Sequence, residues 1–117
     1  MPSDIPPPLA RSPHEQLIVY AIRITDQDIE SNPEFEGLPD IGATLCLAYS
    51  ISSFWPTARH GIVTIRGKGD YRIDECAVVL ADNSTREAMN VPNPEQLARI
   101  QETLRTDRKP RWYRLTC

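Results

Sequence analysis

The chain has 117 residues, 40% of them hydrophobic and 25% charged, with a net charge of −3. A single domain of this size hides roughly two-thirds of its unfolded surface on folding, enough for a core without metal or disulfide staples. These values exclude a coiled coil, a collagen-like chain, a wholly disordered chain and a multi-domain enzyme, and the mild acidity argues against a protein that coats nucleic acid.

Charge is unevenly placed. Residues 1–36 hold seven acids and two bases, whereas residues 99–117 hold six bases and two acids. The basic end leaves room for a local anionic partner. Cys46, Cys76 and Cys117 are odd in number and lack metal-ligand spacing. Neither a disulfide framework nor a metal site nor a cofactor is expected, and reduced thiols in a cytoplasm are the simpler reading. No signal-peptide pattern opens the chain, and no run approaches the ~20 apolar residues of a membrane helix.

In chain order, residues 1–14 carry Pro2, Pro6, Pro7, Pro8 and Pro13 and read as a proline-rich disordered tail before a single α+β domain over 15–117. Residues 16–25 form the clearest strand. Leu17, Val19 and Ala21 alternate with Ile18, Tyr20, Ile22 and Ile24, so both faces are apolar and the strand is expected to be covered on both sides. Thr25 is a cap for a short helical turn over 26–30, and Pro33, Gly37 and Pro39 break any regular element after that turn. Residues 38–54 fit a helix, with Ile41, Leu45, Ala48, Tyr49 and Ser52 on one stripe. They also fit a strand, and length favours the helix.

Residues 61–66 predict a strand, Gly67-Lys68-Gly69-Asp70 a hairpin turn, and residues 71–81 the return strand, ending in the apolar run 76–81. A single turn is expected at 85–89. Asn93, Pro94 and Gln96 then make an N-cap, a first-position proline and a capping box for a helix whose apolar stripe is Leu97, Ile100 and Leu104. Residues 111–116 complete the set as a strand.

The order β-α-β-β-α-β is that of a ferredoxin-like split sandwich, an antiparallel four-stranded sheet with two helices. In that arrangement the apolar first and third strands are central. The second and fourth, with Thr64, Arg66, Arg114 and Thr116, are edges. The alternative is a β-rich, partly open barrel with one C-terminal helix.

Two groups of residues carry chemistry. Arg108, Lys109, Arg111, Trp112, Tyr113 and Arg114 interleave bases with aromatics, which suits the anchors of a protein interface or phosphate contacts with base stacking. Tyr49, Trp55, Arg59 and His60 suit a pocket, with His60 as an acid or base. No nucleophile or paired carboxylate accompanies them: Asp74 and Glu75 are neighbours on a strand and point to opposite faces. A ferredoxin-like sheet that binds RNA needs two aromatics on its third strand, and residues 68–73 offer Tyr71 alone. The residues 26–37 lack the glycine and glutamate of a calcium loop, with Ser31 and Gly37 in their places.

The first expectation is therefore a small non-catalytic protein-binding module, a regulator, inhibitor or adaptor, docking a partner protein through a sheet edge and the Arg/Trp/Tyr segment. The second is an enzyme or small-ligand binder with the Tyr49–Trp55–His60 pocket, built as a homodimer through the sheet. The third is an RNA or single-stranded DNA binder using residues 108–114.

Overall fold

The structure, a computed structural model, describes residues 4–12, 15–66 and 72–116. The expected turn at Gly67, Lys68, Gly69 and Asp70 lies outside them, as do Pro2, Pro13, Tyr71 and Cys117. The elements run β1 (Ile18–Arg23), α1 (Asp26–Glu30), a 3-10 turn (Pro33–Phe35), α2 (Asp40–Ser52), β2 (Arg59–Arg66), β3 (Arg72–Asp82), α3 (Pro94–Leu104) and β4 (Arg111–Leu115).

All strand pairs are antiparallel. β1 pairs with β3 (Arg23 opposite Ala77), β3 with β2 (Arg59 opposite Val79) and β1 with β4 (Ile18 opposite Arg114). An open ferredoxin-like sheet would stop there. Here β2 and β4 also pair, Val63 opposite Leu115 and Thr64 opposite Arg114, so the sheet closes into a small barrel of order 1-3-2-4. The expected open sandwich is corrected to a closed α+β barrel. The partly open barrel with one C-terminal helix is corrected with it, because residues 38–54 carry α2.

The cause lies in curvature and in the demand for cover. Strands twist, and an irregularity in the β1–β3 register between Tyr20 and Ala21 adds bending. Closure then satisfies both faces of β1. Val19 and Ala21 meet Val63, Ile65, Ala77, Val79 and Tyr113 inside the barrel, while Ile22 and Ile24 meet Val78, Leu80 and the helices outside it. Of the polar residues that suggested edges, Thr64, Arg114 and Thr116 sit at the seam instead. The Thr64 hydroxyl hydrogen-bonds to Thr116 Oγ1 and donates to Asp74 Oδ1 at 3.1 Å on the outer side. Pairing β2 with β4 removes the unpaired backbone groups that an open edge would present.

The helices start where their caps stand. Thr25 accepts from the Asp28 backbone N–H, and the Asp28 carboxylate accepts from the Thr25 N–H at 2.8 Å, closing a capping box on α1. Asn93 and Gln96 do the same for α3 at 2.8 and 2.9 Å. α2 begins at Pro39 without a side-chain cap. Its buried residues are Ala43, Thr44, Leu47, Ala48 and Ile51. Of the expected stripe only Ala48 belongs to them: Ile41, Leu45 and Tyr49 are exposed. Both sides of this helix are apolar, and the smaller side chains let it approach the barrel.

The segment before β1 is tied to the domain by Asn83. Its Oδ1 accepts from the Ile18 N–H at 2.9 Å, its Nδ2 donates to the Pro8 carbonyl at 3.1 Å, and its own carbonyl accepts from the Ala10 N–H at 2.8 Å. No helix among the described residues is long and apolar enough to cross a membrane.

Candidate functional site

The basic C-terminal segment does not form one strip. Alternation in β4 sends Tyr113 into the barrel with Leu115, and Trp112 to the other side, where its ring lies 5.1 Å from that of Tyr20. Both aromatics are 3% exposed, so neither ring is presented as a stacking platform or an anchor. Arg108 donates to the Arg23 carbonyl at 2.6 Å and to Asp28 at 2.9 Å, which binds the segment to the start of α1. Burial pushes the Asp28 carboxyl up, but the Thr25 backbone, Arg108 and the Thr25 hydroxyl outweigh it and hold the group low. Arg111 reaches Asp4 at 3.3 Å, and Lys109 and Arg114 are exposed.

The expected pocket does not assemble either. Trp55 is buried and its Nε1 donates to the Leu80 carbonyl at 2.8 Å. Arg59 pairs with Asp82 at 2.7 Å. Burial pushes the Asp82 carboxyl up, and the hydrogen bonds from Ser84 together with Arg59 bring it below its ordinary value. His60 is half-buried, opposite Val78, and its Nε2 is buried without a hydrogen-bond partner. Desolvation pushes its pKa down. Tyr49 stands apart on the outward side of α2, 81% exposed. Among the described residues, no three His, Cys, Asp or Glu side chains gather as metal ligands would.

What stands out lies on α2 and just before it. Leu38, Ile41, Leu45 and Tyr49 fall in one row at helical spacing and are 42%, 49%, 51% and 81% exposed. Eight large apolar side chains are exposed among the described residues, and half of them belong to this row. Beside it lie the small residues Gly42, Cys46 and Ser50. Ile41, Leu45 and Tyr49 belong to the stripe expected from the sequence, but they face water and not the core, whereas its Ala48 is buried. A second signal marks it: residues 41–58 contain no Asp, Glu, Lys, Arg or His. Solvated helix faces ordinarily carry such groups.

An acidic cleft adjoins the row. It measures about 630 Å³, and its lining combines the carboxylates Asp26, Glu30, Glu36 and Asp40 with uncharged residues that include Ile29, Asn32, Pro33, Phe35 and the row's first member, Leu38. The Asp40 carboxyl is pushed up, first by a hydrogen bond with the Asp26 carboxyl, then by burial and the charges of Asp26 and Glu30. Like charges are therefore crowded where α2 begins.

Comparison with protein-family models, with curated proteins and with solved structures finds no match.

Proposed function

We propose that this chain is a small non-catalytic protein-binding module, and that it docks its partner through the outward side of α2. The observation that carries this reading is the row Ile41, Leu45 and Tyr49, exposed on a helix whose other side already fills the core, with Leu38 exposed just before that helix begins. A contiguous apolar patch on a soluble surface marks an interaction site more often than scattered apolar residues do. Ile41, Leu45 and Tyr49 at i, i+4 and i+8 match the anchors by which one helix packs on another surface. The docking route through a sheet edge has no support, since the closed barrel offers no open edge. Burial of Trp112 and Tyr113 takes weight from the C-terminal segment.

The test is quantitative capture from an extract of the source organism. Wild type is compared with Leu45→Glu and with Lys109→Ala/Arg114→Ala, all three matched in melting temperature. A partner retained by the double alanine variant and lost from Leu45→Glu supports the reading. A partner lost only from the double variant returns the docking face to β4.

A further inference from the structure

Resting on the reading of α2 as a docking face, we infer that the partner offers a basic amphipathic segment. Its apolar row lies along Leu38, Ile41, Leu45 and Tyr49, and its lysines or arginines enter the acidic cleft at the start of the helix. Two features of the surface select this occupant. The first is continuity: Leu38 lines the cleft and also begins the row, so one extended segment reaches both. The second is charge. Residues 26–40 hold six acids and no base. Asp28 is taken by Arg108, whereas among the described residues Asp26, Glu30, Glu36 and Asp40 form no ion pair with a base. The Asp40 carboxyl is pushed up by its neighbours Asp26 and Glu30, as expected where like charges crowd together. A cation placed among them relieves that repulsion and steers encounter.

The same features disfavour other occupants. Nucleic acid and anionic lipid would meet carboxylates of their own sign. A second copy laid antiparallel on α2 would bring Ser50, Ser52 and Ser53 to the cleft, which supply no cation. Laid parallel, it would bring cleft against cleft.

The experiment is selection of a displayed library of amphipathic helical peptides, with randomised polar positions, on the full chain. Selected peptides are then measured by fluorescence anisotropy against wild type, Leu45→Glu and Asp26→Asn/Glu30→Gln/Glu36→Gln. Asp40 is kept because it occupies the first turn of α2. Circular dichroism confirms that each variant is folded. We expect the selected peptides to carry lysine or arginine clustered at one end of an apolar row. Their affinity should fall about tenfold or more in the triple variant and in roughly 0.5 M salt, and vanish in Leu45→Glu. Peptides that need Leu45 but are neutral, or that bind the triple variant unchanged, overturn the basic partner and leave the docking face standing. Failure to select any peptide sensitive to Leu45→Glu overturns the docking face itself. Sedimentation showing a dimer that Leu45→Glu dissociates would make a second copy the occupant and overturn the inference.

Discussion

α2 and α3 are of similar length and both pack on the core, yet they meet water differently. α3 buries Ile100 and Leu104, half-buries Leu97, and turns Glu95, Gln96, Arg99 and Glu102 outward. α2 buries Ala43, Leu47 and Ile51 and turns Ile41, Leu45 and Tyr49 outward, with no charged residue after Asp40. The chain therefore has the means to solvate a helix and uses them on α1 and α3 but not on α2. Apolar exposure on α2 is a local property of one face, which is why it carries the functional reading.

The sharpest break of this comparison is a substitution on the two sides of α2. Ile51→Ala and Ile100→Ala remove fully buried side chains and should each cost about 2–5 kcal/mol in urea unfolding. Leu45→Ala, at 51% exposure, should change stability by less than about 0.5 kcal/mol. Equal losses at Ile51 and Leu45 would mean that the row is covered within the domain.

The ends of the two helices sharpen it further. α3 is held by the Asn93–Gln96 capping box, so Asn93→Ala should cost about 1 kcal/mol. α2 has no such bond at Pro39, and its position rests on packing of the inner side. At its other end α3 closes with Arg105 at φ 55°, ψ 42°. A side chain in this left-handed region is disfavoured, so Arg105→Gly should raise stability by roughly 0.5–1 kcal/mol. A loss on this substitution would show that the arginine side chain contributes more than its backbone costs.

These contrasts also explain what the sequence disclosed. Caps were legible at Thr25 and Asn93 because a cap is a local bond between residues three apart. Two-sided cover of β1 was legible from its unbroken apolar pattern. What supplied the cover was not, because a strand facing a barrel interior alternates as a strand facing a second layer does. Closure depends on Val63 meeting Leu115, residues far apart in the chain, and no local pattern encodes such a pairing. Which side of α2 is buried was not legible for a related reason. Periodicity identifies a helix's apolar side only when the other side is polar, and on α2 Leu45 and Leu47 compete on equal terms. The decision falls to volume: Ala43 and Ala48 let the helix sit close on the barrel, and the bulkier row is left outside. In the C-terminal segment, alternation in β4 divided Trp112 from Tyr113, so a composition that suggested one surface was split between two.

The smallest expected effect concerns the layer beneath α2. His60 lies opposite Val78, a member of the core that α2 covers, and its Nε2 is buried without a partner. Burial holds its folded pKa below the ordinary value of 6.5. The unfolded chain therefore binds a proton more readily than the folded one, and stability must fall as protons are supplied. The contribution of neutral His60 is complete above pH 6.5 and declines as pH drops from there through the folded pKa. Asp28 and Asp82 titrate in acid as well, but their folded values are depressed, so their losses come lower on the pH scale. Comparing wild type with His60→Gln isolates the histidine: the stability of wild type relative to the variant should shrink between about pH 7.5 and pH 5. Binding of a partner to the outer row of α2 should keep its affinity over the upper part of that range, because His60 lies on the inner side. A stability difference that stays constant with pH would place His60 in contact with water, and the division between the two sides of α2 would be less complete than the burial of its neighbours implies.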